Sequence, residues 1–589
     1  MKNIFTILSA LLLWNNASAQ YYITGDVKDD KNQPLQNVKI YMPSAGALYA
    51  SGATGGFGIP TSNSTDSLVF SLEGYAIKSI KFKTSEYQHV VLQPLATNVE
   101  TYKSKLVSLT TGSTGNMFPV SYYQDESYNS LAENDFIQAT DKTNTEFSMR
   151  IDKASYSNVR RFINQGEQAP PDAVRVDEML NYFNFNYKEP EKGDVFRIES
   201  QVSDCPWDTS HRLLFLNLSG KKLNLDHVPP SNLVFLIDVS GSMDLPNRLP
   251  LLKEAFQLLV KNLRKKDTVS IVTYGGTVGV WLQPTSGDQK QKISKSIEEL
   301  SASGDTPGEA AIRMAYKLAE STFIKGGNNR IILATDGDFN IGQKSETDLE
   351  ELISKEKLSG VYLTCLGVGM GNYKDSKIEV LAKKGNGNFA YLDDIREAEK
   401  VLVTEFTQTM YSIASNVYIN AKFNPATVKQ YRLIGYDNKK SVIDEKNYEL
   451  EGGEIGSATG NTVIFEIIPA ASDSSVPAIG AKIADFTVHY RVPKNDKEQI
   501  LDYKSLENYV PFDSLNKDLQ FATSVAMFGL KLRKSKYFPE DADWDSIKNI
   551  AVNSLNKDNF LDTEFVGLID KCKTIYYDKK KRRIRKKDR

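Results

Sequence analysis

Oxygen-bearing side chains stand at every second position from residue 238 onward in the segment FLIDVSGSMD, residues 235–244. Asp238, Ser240 and Ser242 follow an apolar run, and Gly241 between the two serines permits a sharp loop. Carboxylate and hydroxyl oxygens are hard ligands, which suit Mg²⁺, Mn²⁺ or Ca²⁺ better than zinc or copper. By itself the segment is equally typical of a polar turn, because Asp, Ser and Gly are common in turns.

Two further segments carry oxygen ligands at comparable places. Thr306 stands at the start of a predicted helix in SASGDTPGEAAIRMAY, and Asp336 ends a predicted buried strand in RIILATDGDFNIG. Ligands of an open α/β sheet collect at the carboxyl ends of its strands. We therefore predict one divalent-cation site formed by Asp238, Ser240, Ser242, Thr306 and Asp336. Mg²⁺ is the expected ion, with Mn²⁺ and Ca²⁺ as alternatives, and the small number of direct carboxylates leaves a position for an outside acid.

The elements that must position these residues alternate between helix and strand patterns from residue 230 to 416. Strands such as NLVFLIDVS and NRIILATD are continuously apolar, and helices such as RLPLLKEAFQLLVKNLRKK are amphipathic. Continuously apolar strands are typical of a parallel sheet buried on both faces. We predict a doubly wound α/β domain with a parallel sheet.

Strand patterns flank this domain on both sides. A region of helices and strands covers residues 134–229, and strands followed by three helices cover residues 417–577. This arrangement predicts an α/β domain inserted in or flanked by a β-sandwich, with helices at the C-terminal side. The last residues, 578–589, are densely basic. They are predicted to be a solvated, disordered end, with contact to an anionic surface as the alternative.

The first 133 residues contain three predicted segments. Lys2, an apolar run and the small residues Ala17-Ser18-Ala19 predict a signal peptide over 1–19, and hence an exported protein of the periplasm or cell surface. Short β-prone runs predict an antiparallel β-sandwich over 20–95, and residues 96–133 have the composition of a linker. The remaining chain has no apolar run long enough to span a membrane.

Composition excludes several functional classes. The 589 residues are 40% hydrophobic and 25% charged, with a formal net charge of −2, which gives no global attraction to nucleic acid. The three cysteines show no metal-ligand spacing, and a bridge between Cys205 and Cys572 is left open. None of the four histidines stands in a zinc-protease motif.

The oxygen-ligand pattern resembles the metal-ion-dependent adhesion site of von Willebrand factor type A (VWA) domains. The match falls on Asp238, Ser240, Ser242, Thr306 and Asp336. The resemblance implies a bound divalent cation, commonly Mg²⁺, whose coordination is completed by a Glu or Asp of a partner protein. The segments ASYSNVRRFINQGEQAPPDAVRVDEMLNYF and FATSVAMFGLKLRKSKYF resemble an uncharacterised exported bacterial subfamily of this family. GDVKDDKNQPLQNVKIYM resembles carboxypeptidase-regulatory-like, prealbumin-type β-sandwiches.

The leading hypothesis is a non-enzymatic, cation-dependent protein-binding module, for adhesion or as a scaffold, of the bacterial cell envelope. One alternative, taken from intracellular relatives, is an accessory subunit of an AAA+ ATPase system for metal insertion or complex assembly. A weaker alternative is a metal-assisted hydrolase, since a bound ion can activate water. The sequence names no general base for such a reaction, because Asp244 and Asp338 read as solvated loop acids.

Overall fold

The computed structural model describes residues 21–93 and 126–587, apart from gaps at 37, 45–46, 53, 62, 73–74, 76–77, 84–85, 225–227, 276, 305–307, 338–345, 357–358, 372, 440–451, 471–479, 494 and 541. The predicted signal peptide, residues 1–19, lies outside these ranges, as does most of the predicted linker, residues 96–133. The chain divides into two compact units, Met1–Val120 and Ser121–Arg589.

The described residues of the first unit form seven strands: Tyr21–Asp29 (β1), Lys39–Met42 (β2), Ala47–Ala50 (β3), Gly56–Thr61 (β4), Thr65–Ser71 (β5), Lys78–Lys83 (β6) and Gln88–Leu92 (β7). They form sheets of order β4-β1-β7 and β3-β2-β5-β6. Val27 and Val90 of one sheet share a core with Ile40 and Phe70 of the other. The prediction of a purely antiparallel sandwich is wrong in one detail. β1 and β7 pair in parallel, because the chain crosses from the other sheet before β7 begins.

The second unit contains eighteen strands among its described residues. Five precede the central sheet: Leu131–Ala132 (β8), Ile137–Gln138 (β9), Asn144–Ser148 (β10), Phe196–Asp204 (β11) and Arg212–Gly220 (β12). Six form it: Ser231–Asp238 (β13), Thr268–Gly275 (β14), Thr277–Ser286 (β15), Asn328–Thr335 (β16), Tyr362–Gly367 (β17) and Phe389–Tyr391 (β18). Seven follow it: Ser412–Phe423 (β19), Val428–Ile434 (β20), Asn438–Lys439 (β21), Gly453–Gly456 (β22), Gly460–Pro469 (β23), Lys482–Val492 (β24) and Asn495–Leu506 (β25).

The helices of this unit lie before, within and after the α/β region. They are Ala154–Asn164 (α1), Val176–Asn181 (α2), Leu249–Lys261 (α3), Lys290–Glu298 (α4), Gly308–Ser321 (α5), Glu346–Glu356 (α6), Asp375–Lys384 (α7), Ile395–Glu399 (α8), Phe406–Met410 (α9), Lys517–Arg533 (α10), Trp544–Ser554 (α11) and Phe560–Lys587 (α12). A π-helical segment, Lys400–Thr404, lies between α8 and α9. The prolines at 170 and 171 are followed by a 3₁₀ turn, Pro171–Ala173, and the backbone of Val174 and Arg175 is extended before α2 begins.

The central sheet has the order β15-β14-β13-β16-β17-β18. All its pairs are parallel except β14 with β15, so the predicted doubly wound parallel sheet is confirmed and gains one antiparallel edge strand. The sequence prediction missed β15 because Gly279 and Pro284 weaken its strand pattern. Pro284 is tolerated there because an edge strand need not donate every backbone hydrogen bond.

Both faces of this sheet are covered by helices. Phe235 of β13 packs with Phe256 of α3 on one face, at a ring-centroid distance of 4.5 Å. Leu236, the next residue, belongs to the core on the other face with Ile312 and Ala315 of α5. Every residue of β13 is buried. The continuous apolar run is thus explained, because alternate side chains enter two cores.

Strands from both sides of the central sheet combine into a β-sandwich. One sheet has the order β11-β12-β23-β20-β9, and the other contains β10-β19-β24-β25 with β22 paired to β19. Leu214 and Phe465 of the first share a core with Ile419 and Phe486 of the second. β12 lies before the α/β region and pairs with β23 after it. The α/β region is therefore inserted in a sandwich, which confirms the predicted fold class.

The C-terminal helices pack against α1 and α2. Phe521 and Phe528 of α10 share a core with Phe565 of α12 and Tyr156 of α1. The backbone of α12 continues to Lys587, so the basic segment from Asp578, predicted to be disordered, is helical over its described part. None of the described helices is long and apolar enough to cross a membrane. All three cysteines are free and buried, so the bridge between Cys205 and Cys572 is not formed.

Candidate metal site at the carboxyl edge of the central sheet

Two carboxylates lie at adjacent strand ends of the central sheet. β13 ends at Asp238, and Asp336 directly follows β16. β13 and β16 are parallel neighbours, with Ile237 opposite Ala334, so both acids are placed at the same edge of the sheet. Asp238 and Asp336 are fully buried. Two carboxylates without solvent are costly unless donors or cations compensate them.

The loop after β13 brings the two serines to these acids. The Ser240 backbone N–H donates to Asp238 Oδ1 at 2.9 Å, which folds the loop back over the strand end. The hydroxyls of Ser240 and Ser242 lie 3.2 Å apart. Ser242 Oγ donates to Asp336 Oδ2 at 2.9 Å. Four of the five predicted ligands therefore form one connected group of oxygens.

Two glycines permit the close approach of the loops. A Cβ on Gly275, at the end of β14, would lie 2.5 Å from the Val239 carbonyl oxygen and 2.7 Å from that of Ser303. Gly337 has a φ of +81°, which favours glycine, and a Cβ there would lie 2.9 Å from the Lys374 carbonyl oxygen. The positions of the candidate ligands thus depend on the lack of a side chain at both glycines.

The fifth predicted ligand, Thr306, lies outside the described residues. The residues before it contact the serine loop, since the Gly241 N–H donates to the Gly304 carbonyl at 2.9 Å. Ser303 N–H also donates to the Val239 carbonyl, at 2.6 Å. The chain on the N-terminal side of Thr306 is therefore held next to Ser240 and Ser242.

Arg248 is a member of the site that sequence reasoning missed. Its Nη1 donates to Asp336 Oδ2 at 2.8 Å and to the Ser242 carbonyl at 2.7 Å. Both charged side chains are buried, with exposures of 5% for Arg248 and 0% for Asp336. The arginine therefore ties the serine loop to the end of β16.

Burial raises the pKa of Asp238 to about 6. Hydrogen bonds from Ser240 and from the Thr335 hydroxyl, which donates to Asp238 Oδ2 at 3.0 Å, act in the opposite direction. The nearby charge of Asp336 raises the pKa further. Burial likewise raises the pKa of Tyr274 well above its usual value, with the charge of Asp238 as a second cause. Burial thus disfavours the charged form of both groups at this edge of the sheet.

The donor set fits a hard divalent cation. It contains two carboxylates and two hydroxyls, whereas zinc and copper sites favour histidine and cysteine. Among the described residues, no group of three or more His, Cys, Asp or Glu side chains is placed to hold a metal ion. The candidate site differs from such clusters because serines supply two of its four described ligand side chains.

The acids and histidines considered as general bases are not part of the oxygen group. Asp244 ends the 3₁₀ turn Gly241–Asp244 and is exposed, as predicted, and Asp338 is outside the described residues. Each histidine that the structure describes lies near its own acidic residue: His89 near Asp26, His211 near Glu466 and His489 near Glu498, with nitrogen–oxygen distances of 2.6, 2.6 and 3.6 Å. His227 falls in a gap of the described chain.

Three family models match consecutive parts of the chain. The model described as von Willebrand factor matches residues 122–215, and that of the von Willebrand factor type A domain matches residues 232–404. A model of the C-terminal region of the uncharacterised protein YfbK matches residues 408–575. The candidate site therefore lies within the VWA match, and VWA domains are typical protein–protein interaction modules.

Individual proteins give a consistent result. The uncharacterised protein YfbK of Escherichia coli K12 is 35% identical over 465 residues, which cover 75% of this chain and 80% of YfbK. Inter-alpha-trypsin inhibitor heavy chain H2 of Mesocricetus auratus is 27% identical over 208 residues, 33% of this chain and 21% of that protein. A solved von Willebrand factor type A protein from Catenulispora acidiphila matches with a TM-score of 0.37 and 14% identity, over 63% of this chain and 88% of that one. The extent and identity of the first match show that the chain belongs to the YfbK family of uncharacterised bacterial VWA-domain proteins.

Proposed function

We propose that the chain is a non-enzymatic protein-binding module of the bacterial cell envelope that depends on a divalent cation, with Mg²⁺ as the preferred ion. The single observation that carries the proposal is the connected oxygen group of Asp238, Ser240, Ser242 and Asp336 at the carboxyl edge of the sheet. Thr306 is assigned to the same site from its sequence position.

The charge balance of the site supports cation binding. Two buried carboxylates, Asp238 and Asp336, lie next to one buried guanidinium, that of Arg248. A second positive charge would compensate the remaining carboxylate, whose burial is otherwise unfavourable. Mg²⁺ prefers oxygen ligands and retains open or water-filled positions, so hydroxyls suffice as its direct ligands.

The composition of the site also supports an acidic partner. Hydroxyl ligands leave a bound divalent cation with much of its charge, so it would attract a carboxylate from another molecule. Ser240 and Ser242 would hold the ion, while Asp238 and Asp336 orient these hydroxyls through the loop backbone and a direct hydrogen bond. A partner Glu or Asp then completes the coordination.

Two observations support binding rather than catalysis. The described histidines lie near acids outside the site, and Asp244 is exposed to solvent. A metal-assisted hydrolase needs a base within hydrogen-bond reach of the attacking water. The envelope location rests on the signal-peptide pattern of residues 1–19, which also disfavours an ATPase-linked role, since ATP is not expected outside the cytoplasm.

The test is titration of the purified chain with Mn²⁺ and Mg²⁺, followed by calorimetry for both ions and by electron paramagnetic resonance for Mn²⁺. Asp238→Ala removes a buried charge as well as the contact that orients the Ser240 loop, so it is expected to weaken binding by at least the about 10- to 100-fold that loss of an outer-shell partner costs. The matched control is Asp244→Ala, which removes an exposed acid from the same loop and should bind like the wild type. Equal binding by Asp238→Ala and the wild type would contradict the proposed site.

Partner binding is tested by affinity capture from native envelopes with and without EDTA. The proposal expects a set of captured proteins that disappears with EDTA and with Asp238→Ala, and that remains with Asp244→Ala. Capture of the same proteins by Asp238→Ala would show that binding does not use the cation.

A further inference from the structure

A buried glutamate lies at the beginning of the described part of the second unit. The carboxylate of Glu126 is 1% exposed and accepts two parallel hydrogen bonds from Arg161 of α1, both at 2.8 Å. Tyr128 Oη donates to the same carboxylate at 2.7 Å. Paired, charge-assisted hydrogen bonds of this kind fix geometry as well as charge. Residue 126 falls within the range predicted to be linker, yet it is firmly held.

The same glutamate holds a loop of the α/β region, residues 368–374, which follows β17. The Gly371 N–H donates to Glu126 Oε1 at 2.8 Å. Ser127 holds the far end of this loop, because its N–H donates to the Tyr373 carbonyl at 3.1 Å and its carbonyl accepts from the Ser376 N–H at 3.2 Å. The segment Glu126–Ser127 therefore fixes both the middle and the end of the loop.

This loop contacts Arg248 directly. The Met370 carbonyl accepts a hydrogen bond from Arg248 Nη2 at 2.8 Å. Gly369 has a φ of +85°, and a Cβ there would lie 2.6 Å from Arg248 Nε. Glycine is thus required for the loop to lie against the guanidinium. The end of the loop also reaches the site, since the Lys374 N–H donates to the Asp336 carbonyl at 3.2 Å.

We propose that Glu126 and Arg161 are positioning residues for the cation site, acting through loop 368–374 and Arg248. The contacts form an unbroken series from Glu126 through Gly371 and Met370 to Arg248, and from Arg248 to Ser242 and Asp336. This inference rests on the proposed function, because it assigns a role to residues that set the geometry of that site. The leader segment before α1 is thereby part of the binding module.

The expected effects follow from the distance of each residue to the ligands. Arg248→Lys keeps the charge but loses the fork that spans Met370, Ser242 and Asp336, and should weaken Mn²⁺ binding by about 10- to 100-fold. Glu126→Asp keeps the charge but shortens the side chain, and should weaken binding by about 2- to 30-fold. The charge is retained in both variants, so neither effect can be a simple loss of charge near the ion.

The experiment measures Mn²⁺ affinity of the full chain by electron paramagnetic resonance for wild type, Glu126→Asp, Arg248→Lys and the double variant. If Glu126 acts through Arg248, Glu126→Asp has no further effect in the Arg248→Lys background. Additive effects, or a wild-type affinity of Glu126→Asp, would overturn the inference. If Glu126→Asp does not fold, Arg161→Lys replaces it, since it breaks the paired contact from the other side.

A matched control separates positioning from general stability. Glu454 forms an equally buried ion pair with Arg330, at 2.9 Å, in the same unit. Glu454→Asp should lower the unfolding temperature but change the Mn²⁺ affinity by less than about 2-fold. A 2-fold loss is about the smallest effect expected of Glu126→Asp, so the two variants can be distinguished. An equal loss of affinity in this control would overturn the inference. If Asp238→Ala loses Mn²⁺ binding but Glu126→Asp binds like the wild type, the cation site stands and only the positioning role of Glu126 is wrong. If Asp238→Ala binds like the wild type, the proposed site itself is wrong.

Discussion

Two buried ion pairs lie at opposite ends of β16. Near the amino end, Arg330 donates to Glu454 at 2.9 Å and to the Thr364 hydroxyl at 2.7 Å, so one carboxylate meets one guanidinium. Beyond the carboxyl end, Arg248 donates to Asp336 at 2.8 Å, but a second buried carboxylate, Asp238, lies beside this pair. The ion pairs at both ends are buried, but one carboxylate faces the guanidinium at the amino end, whereas two carboxylates lie near the guanidinium at the carboxyl end.

This difference separates a structural ion pair from a candidate binding site. Arg330 and Glu454 connect the central sheet to the sandwich strand β22, and their charges cancel. The group around Asp238 and Asp336 places two buried carboxylates beside the guanidinium of Arg248, with two serine hydroxyls between the acids. A buried ion pair alone therefore does not indicate a binding site, whereas two buried carboxylates next to hydroxyl oxygens do.

The largest expected effect breaks the structural pair. Arg330→Met leaves Glu454 buried without its guanidinium, which should lower the free energy of unfolding by about 3–5 kcal/mol. Urea unfolding of the wild type and the variant measures this difference in the free energy of unfolding. Added Mg²⁺ should not restore the lost stability, because Glu454 is a single carboxylate, whereas the other end has the two carboxylates of Asp238 and Asp336. If Mg²⁺ restores the stability of Arg330→Met, both ends of β16 can bind the ion, and the proposed difference between them is wrong.

The second prediction concerns the other end of β16. A saturating divalent cation should stabilise the second unit by about 2.7 kcal/mol when its concentration is 100 times the dissociation constant, because only the folded state forms the site. Thermal unfolding with Mg²⁺ or with EDTA measures the shift. Asp238→Ala should show no shift, and a shift of equal size in that variant would place the stabilising ion elsewhere.

Much of this comparison could be predicted from the sequence. Asp238 and Asp336 were assigned to one edge because each ends an apolar strand pattern, and parallel strands end at the same edge. Ser240 and Ser242 followed from their spacing. The prediction for Thr306 stays untested, because that residue lies outside the described chain.

Other parts could not be predicted because they depend on contacts between distant residues. Arg248 reaches Asp336 across 88 positions of sequence, and no local pattern distinguishes it from a surface arginine. Glu126 looked like linker because its neighbours are polar, and its role comes from Arg161 and Gly371. β15 was missed because Gly279 and Pro284 are atypical of strands, although both are tolerated at a sheet edge.

The third prediction tests the hydroxyls of the site. Ser242→Ala removes a proposed ligand and the hydrogen bond to Asp336, and should weaken Mg²⁺ binding by about 10- to 100-fold. Calorimetric titration measures the affinity. Ser219→Ala is the control, since it removes another largely buried serine that donates to a backbone carbonyl in the sandwich. Equal affinities for Ser242→Ala and Ser219→Ala would count against hydroxyl ligation.

The smallest expected effect concerns the scaffold contact of His211 with Glu466, a carboxylate to which Arg432 also donates. The hydrogen bond to Glu466 raises the pKa of His211 above its ordinary value, against the effect of burial. The stability that this pair contributes is therefore full below pH about 6.5 and is lost as pH rises through the raised pKa. The change should be less than about 1 kcal/mol because solvent screens the pair. Unfolding experiments between pH 5 and 9 measure this change in stability. His211→Gln should remove the part of the pH dependence that comes from His211.

Binding of a divalent cation by the oxygens around Asp238 can be tested by anomalous diffraction. Crystals of the full chain would be grown with Mn²⁺, and data collected at the manganese absorption edge. We expect an anomalous peak within direct coordination distance of Ser240 Oγ and Ser242 Oγ, and no peak there in Asp238→Ala crystals. Absence of a peak between these serines in wild-type crystals, under conditions where Mn²⁺ binding in solution is saturated, would contradict it.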